Sequence, residues 1–355
     1  EIVDPVGHPN TDGYIEIGGL FLETLLPLLD TPAIAIVPPP NPLTVGALSA
    51  FGIEGNAVEQ FVRVDWDFGD GGYATTPPPA DLTTFYIYLH PGTYTVTVRG
   101  STAAGAVAED SAVVVVAGTE PAWVSASAEI PLLVESADGQ VVSDLRLTNS
   151  GGDFGVVEAA FVPEISYDVA PPVRRFVVAP QETAAIPEVL ATAFGIGAGR
   201  GALRITFYAL PGGSLDDLQA NALVRSAGDP AGAHGATVTS VQSDAWTSAG
   251  KEILAIPFGP ATVPTLDIAN LDGARGTVSF DLVDALGGYI GSGVLELGAN
   301  SARLRALSDL FRDLGQRQAP FKATFRPAGI RFSAAALVTG PASGQVRVLT
   351  ATTQP

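Results

Sequence analysis

The fold is decided by Trp66-Asp67-Phe68-Gly69-Asp70-Gly71 and, further along the chain, Pro91-Gly92-Thr93-Tyr94-Thr95-Val96-Thr97-Val98. Apolar residues occupy every second position from Val62 to Phe68 and again from Tyr94 to Val98. A period of two is typical of a strand with one face buried and the other in water. We expect the two strands to supply opposite walls of one β-sandwich core.

The same two strings, with Tyr88 between them, resemble the polycystic-kidney-disease (PKD) domain over residues 41–117. This resemblance implies an Ig-like sandwich in a protein that works outside the cell as a spacer or interaction module. The proline-rich segment from Thr75 to Asp81 departs from the family, where a short loop would serve. We interpret that insertion as an added contact surface.

The rest of the chain contains an internal repeat. The string Leu145–Asn149 matches Leu266–Asn270, and Gly201–Phe207 matches Ala319–Phe325, in the same order in both halves. Self-similarity of this kind indicates two copies of one structural unit. Each copy also has one stretch with helical spacing followed by glycine, Pro187–Phe194 and Arg303–Phe311. This part of the chain resembles tandem sandwich repeats of bacterial secreted proteins.

We therefore predict an all-β fold of three tandem Ig-like β-sandwich domains behind an extended N-terminal arm. The predicted boundaries are 1–40 for the arm, 41–118 for the PKD-like domain, and 119–235 and 236–355 for the two repeats. The content of 40 glycines and 28 prolines supplies many turns and disfavours long helices.

The predicted arm is unusually apolar. A membrane span needs about 20 apolar residues, and Glu23, Pro27 and Asp30 interrupt this run, so no span is predicted. Exposed apolar residues recruit partners, and an extended segment can add a strand to the sheet of a neighbouring subunit. The alternative is that the arm folds back onto its own domains. The predicted contact residues are Tyr14, Ile15, Ile17, Leu20, Phe21, Leu22, Leu25, Leu26, Ile34, Ile36 and Val37.

Composition excludes several classes of function. The chain has 37 acidic and 18 basic residues, a net charge of −19, so no basic patch is expected and nucleic acid is not a predicted partner. Without cysteine it has no disulfide framework, thiolate zinc site or thiol nucleophile. Because the chain begins at Glu1 without methionine, we expect a secreted or cell-surface protein from which a signal peptide has been removed.

Three carboxylates, Asp65, Asp67 and Asp70, cluster around the first string. Calcium is one interpretation, since hard cations prefer several oxygen ligands. The other is that Asp67 and Asp70 accept hydrogen bonds from backbone N–H groups of the turn. No other cofactor is predicted, and no histidine pair, nucleophile elbow or phosphate loop indicates an enzyme.

Two functions remain. The first is a structural subunit of an extracellular filament or surface assembly that polymerises with copies of itself through the arm. The alternative is a non-catalytic binding or adhesion module that recognises a cell-surface protein or glycan. A glycan binder should expose aromatic side chains, and because Phe85, Tyr86 and Tyr88 alternate as a core strand would, we expect only Tyr86 or its neighbours to face outward.

Overall fold

The structure is a computed structural model that describes residue 15 and residues 32–56, 58–76, 82–164, 170–229, 235–242, 249–259, 262–270, 272–311, 314–316, 319–340 and 345–353. The chain is all-β, as predicted. It divides into two compact units, one formed by residues 1–70 and 74–118 and the other by residues 71–73 and 119–355.

The first unit is a sandwich of two sheets. Its sheets have the strand orders β1-β3-β6 and β2-β8-β7-β4-β5, and its one parallel pair among the described strands is β2 with β8. A 3-10 helix covers Val58–Gln60. The strands are β1 (Ala35–Val37), β2 (Leu43–Thr44), β3 (Leu48–Glu54), β4 (Phe61–Asp67), β5 (Tyr73–Thr76), β6 (Thr83–Ile87), β7 (Gly92–Thr102) and β8 (Val107–Ala117).

The alternation predicted for β4 breaks at its start. Val64 and Trp66 are buried as expected, but Val62 is 39% exposed and Phe61 takes the inward position. The pairing of β4 with β7 shifts register between Phe61 and Arg63, which is the local effect of a β-bulge. The extra residue rotates Val62 out of the core, so its predicted burial is wrong.

The second unit contains two pairs of sheets. A 3-10 helix covers Leu314–Gln316. The first pair comprises β9 (Val124–Glu135), β10 (Val141–Asn149), β11 (Gly155–Pro163), β12 (Val173–Val178), β13 (Glu182–Ile186), α1 (Val189–Thr192), β14 (Gly199–Ala209), β15 (Leu218–Ser226), β16 (Ala236–Thr239) and β17 (Val241–Gln242). The second comprises β18 (Lys251–Ile256), β19 (Val263–Asn270), β20 (Gly276–Val283), β21 (Tyr289–Leu297), β22 (Ser301–Ala306), α2 (Leu307–Leu310), β23 (Phe321–Ala328), β24 (Phe332–Gly340), β25 (Gln345–Thr350) and β26 (Thr352–Thr353).

The two pairs of sheets have the same topology. The orders β12-β11-β14-β9-β17 and β13-β10-β15-β16 in the first correspond strand by strand to β21-β20-β23-β18-β26 and β22-β19-β24-β25 in the second. Because β16 and β17 complete the first pair, its strands continue past the boundary that we placed at residue 235. The helices α1 and α2 are shorter than predicted, and the first half of Arg303–Phe311 belongs to strand β22.

One hydrogen-bond pattern shows how far the equivalence extends. Asn149 and Asn270 end equivalent strands, and both side chains are buried. Each amide nitrogen donates to the carbonyl oxygen four residues on, Asp153 or Ala274, at 2.7 Å. Each amide oxygen accepts from the backbone N–H two residues on at 2.9 Å. The aligned asparagines therefore fix the same turn in both repeats.

The two repeats share buried surface. Leu304, Ala335, Leu337 and Val346 of the second repeat lie in the same apolar cluster as the core of the first. These side chains belong to the sheet β22-β19-β24-β25, so one sheet of the second repeat packs against the first repeat as well as its own partner sheet. Burying apolar side chains between repeats is what makes stacked repeats one cooperative body.

Candidate functional site

The most recognisable string in the chain builds the core of the first unit. Trp66 and Phe68 are almost fully buried and their rings are parallel, with centroids 6.1 Å apart. Phe68 stacks on Tyr86 at 3.9 Å, and the Tyr88 hydroxyl donates to the Phe68 carbonyl oxygen at 3.1 Å. These rings are packed against one another, so no aromatic platform for a ligand remains here.

Of Tyr86 and its neighbours, it is Phe85 and not Tyr86 that faces outward. Tyr86 is 1% exposed, whereas its neighbour Phe85 is 46% exposed on the outer face of the sheet. The Tyr86 hydroxyl reaches the end of the core and donates to Asp70 at 2.8 Å. Burial raises the pKa of Tyr88 above its ordinary value, with the nearby Asp70 carboxylate as the second cause. The rings of Tyr86 and Tyr88 therefore pack in the core, and each hydroxyl has a hydrogen-bond partner.

Each of the three carboxylates proposed for calcium has a partner within the protein. Asp65 pairs with Arg63 at 2.8 Å, and Asp67 accepts from the backbone N–H of Gly69 at 2.9 Å. Asp70 accepts from Tyr86. Among the residues that the structure describes, no three acidic or histidine side chains come close enough together to hold a metal ion. The Gly69 hydrogen bond agrees with the turn-building interpretation for Asp67, and the calcium interpretation stays a prediction.

A group of buried polar side chains lies where the two repeats meet. Glu129 of β9 is fully buried, and its carboxylate accepts from the Ser333 hydroxyl of β24 at 2.5 Å. Lys251 of β18 is also buried and lies 5.4 Å above the ring of Phe332. Arg204 of β14 donates to Asn300 of the second repeat at 2.7 Å. Charged groups from both repeats therefore meet where the repeats pack together.

The interface perturbs the protonation of these groups. Burial raises the pKa of Glu129 to about 7, and the Ser333 hydrogen bond, Lys251 and Arg204 oppose that rise. Burial lowers the pKa of Lys251, with Glu129 opposing. Asp267 is fully buried and, within the described part of the chain, neither of its carboxylate oxygens has a hydrogen-bond partner; burial raises its pKa well above the ordinary value. A buried carboxyl without partners favours its neutral form.

The sequence around these buried charged residues does not distinguish them from residues on a solvated strand face. Glu129 stands between the core residues Ala128 and Ile130, and Asp267 stands between Leu266 and Ile268. Both therefore occupy the outward positions of an alternating strand, which are typical of a solvated face. Only the stacking of one repeat on the other removes that face from water. The equivalent of Asp267 in the first repeat is Arg146, which is exposed.

The first repeat also holds an open cleft of about 580 Å³. It is lined by polar side chains and by Ala126, Phe207 and Leu218, of which Phe207 and Leu218 are almost fully buried. The chain crosses beside this cleft, at Ser240, from β16 in one sheet to β17 in the other. Ligand sites combine apolar residues with a small number of polar groups, and this cleft contains both kinds.

Most of the first unit matches a known family. Residues 33–115 match the family of the PKD domain. This segment is a PKD domain. The match begins eight residues before the predicted boundary at residue 41, because strand β1 belongs to the domain.

Solved structures resemble the chain distantly. The PKD1 domain of the Vibrio cholerae metalloprotease PrtV is 18% identical, with 25% of this chain and 99% of that chain covered and a TM-score of 0.20. A carbohydrate-binding module of the β-sandwich superfamily is 11% identical, with coverages of 90% and 98% and a TM-score of 0.23. A tetra-tandem repeat from the extending region of a large adhesion protein is 13% identical, with coverages of 90% and 74% and a TM-score of 0.19. No curated protein matches the chain in sequence.

The PKD domain changes the interpretation of the arm. Strand β1 pairs antiparallel with β3 of the same domain, with Ile36 opposite Ile53, and Ile34 and Ile36 are buried there. The assignment of Ile34, Ile36 and Val37 to a free donor strand is therefore corrected: Ile36 and Val37 pair with β3 of their own domain, and Ile34 is buried beside them.

Of the rest of the predicted arm, the structure describes one residue before position 32. Ile15 is 68% exposed. The other predicted contacts, Tyr14, Ile17, Leu20, Phe21, Leu22, Leu25 and Leu26, lie outside the described residues, as does the insertion from 77 to 81. In the described part of the chain, no helix is long and apolar enough to cross a membrane.

Proposed function

We propose that this chain is a non-catalytic binding and spacer segment of a bacterial secreted or cell-surface protein. The proposal depends mainly on one observation: the most recognisable PKD residues form the core of the domain. Trp66, Phe68 and Tyr86 pack on one another instead of lining a site. The two repeats behind the PKD domain support it, since shared buried surface makes them a rigid pair on which a binding surface can be displayed.

Retention without turnover tests this proposal. Purified protein would be mixed with insoluble cellulose, xylan and chitin and with whole bacterial cells, and the bound fraction would be measured after washing. We expect retention on at least one of these surfaces and no soluble sugar or peptide released into the supernatant. Release of product, or the absence of retention on every surface, would count against a binding module.

A second function, assembly with copies of itself, is favoured by one separate observation. The outer face of the sheet β1-β3-β6 exposes Val37, Leu48 and Phe85 at 45%, 41% and 46%. Strand β1 lies at the edge of this sheet, its Ile36 N–H already donates to the Asp110 carboxylate, and the exposed apolar side chains are what would recruit a partner. The predicted contacts between Tyr14 and Leu26 precede that edge in sequence. We propose that residues 14–29 bind the PKD domain of a neighbouring copy.

The deletion that tests assembly must spare β1. Removing residues 1–31 takes away the apolar segment and keeps the buried Ile34 and Ile36, whereas a longer deletion would remove a strand of the PKD domain. The control is removal of residues 1–12, which keeps the apolar run. We expect the control to form the same assemblies as the full chain in negative-stain images and the longer deletion to remain monomeric. Assemblies that persist without residues 1–31 would refute this second function.

A further inference from the structure

The cleft of the first repeat offers several polar side chains that the protein itself leaves unused. Gln219 and Asn221 project from β15 on one side, and Gln242 projects from β17 on the other. Within the described part of the chain, these three carboxamides make no hydrogen bond to protein. Asp216 and Thr239 also line the cleft and are exposed. The cleft therefore presents donors and acceptors whose partners must come from water or a ligand.

The equivalent place in the second repeat is closed. Since Ala222–Val224 corresponds to Ala336–Val338, Gln219 and Asn221 correspond to Ser333 and Ala335. Ser333 is buried and bonded to Glu129, and Ala335 is fully buried in the shared cluster. Small side chains occupy this face where one repeat covers the other. Long carboxamides occupy it where the face stays open.

The chemistry of the lining selects a class of ligand. Among the described residues no lysine or arginine lines the cleft, and Asp216 adds a negative charge that disfavours phosphate and other anions. Each carboxamide can donate and accept at once, which suits a hydroxyl group that does the same. The partly exposed Ala126 adds an apolar contact for the C–H face of a sugar ring. At about 580 Å³ the cleft lies in the usual range for small-molecule sites.

We propose that this cleft binds a neutral oligosaccharide, with Gln219, Asn221 and Gln242 as the hydrogen-bonding residues. The inference rests on the binding role proposed above and adds to it a ligand class and a location. Unstructured peptide is the competing ligand, because its backbone also donates and accepts. The sugar is favoured because each of the three carboxamides carries a donor and an acceptor side by side, which matches a hydroxyl group.

The test uses the full chain and soluble probes. Cellohexaose, xylohexaose and laminarihexaose would be titrated by calorimetry, with a neutral Gly-Ser hexapeptide as the competing probe. The variant is Gln219→Ala with Asn221→Ala. Its control is Thr148→Ala with Thr183→Ala, which changes the same outer sheet face at a pair bonded to each other and absent from the cleft. We expect one hexasaccharide to bind and the cleft variant to weaken it by about tenfold or more, since two hydrogen-bonding side chains are lost.

The outcomes separate this inference from the proposed function. Hexasaccharide binding that the cleft variant leaves unchanged, or that the control weakens equally, overturns the cleft and leaves the binding role intact. Binding of none of the three sugars by a chain that is retained on cells or polysaccharide overturns the ligand class alone. Binding of the peptide in place of the sugars does the same. A chain that binds no sugar and is retained nowhere refutes both proposals.

Discussion

Replacement of Glu129 by glutamine should make the stability of the second unit less dependent on pH. Glu129 is fully buried between the repeats, and its pKa is raised from 4.5 to about 7, chiefly by burial. In the unfolded chain the carboxyl ionises near its ordinary pKa, whereas the folded protein keeps the proton until about pH 7. Because the folded state binds more protons in this window, Glu129 lowers stability as pH rises from about 4.5 to 7.

The magnitude follows from the shift. A pKa difference of one unit is worth about 1.4 kcal/mol, so this shift corresponds to an upper value on the order of 3 kcal/mol at pH 8. Glutamine stays neutral and can still accept from the Ser333 hydroxyl, which donates to Glu129 in the native protein. The variant should therefore match the native protein near pH 4.5 and exceed its stability at pH 8.

Urea unfolding followed by circular dichroism at several pH values between 4.5 and 8 measures this difference. The control is Glu109→Gln in the first unit, where the carboxylate is 56% exposed beside Arg99 and a surface ion pair contributes little. The comparison between variant and native protein isolates Glu129 from other titrating groups. A difference that is constant across this pH range, or that grows toward low pH, would refute the burial argument.

Two further predictions concern the PKD domain. Gly69→Ala should lower its melting temperature strongly, because Gly69 has a φ of +81° and a Cβ there would lie 2.5 Å from a backbone carbonyl oxygen. The control is Gly105→Ala, which has a φ of +83° and open space around it and should cost only about 1 kcal/mol of backbone strain. Equal losses of melting temperature in calorimetry would contradict this prediction. Chelator should leave the melting temperature unchanged, because Asp65, Asp67 and Asp70 already have protein partners; a drop that added calcium reverses would restore the calcium hypothesis.

Local pattern was sufficient for much of the fold. The alternation around Trp66 and Val96 predicted buried strands, and both residues are buried. The turn at Gly69 follows from glycine's freedom at positive φ. Alignment of the chain with itself placed Asn149 and Asn270 in equivalent positions, and they make the same hydrogen bonds. These features depend on residues close together in sequence or on the repeat itself, which is why sequence reveals them.

Contacts between distant residues decided the rest. A single-residue bulge turned Val62 outward, and pairing with β3 placed Ile36 inside the PKD domain, although periodicity alone fits a free strand equally well. Glu129 meets Ser333 across 204 residues, so nothing near either residue in sequence marks them as partners. The sequence by itself determined that this chain is a series of β-sandwiches bearing a PKD string. Only the tertiary structure decided which outward faces remain in water, because that depends on how one sandwich stacks on the next.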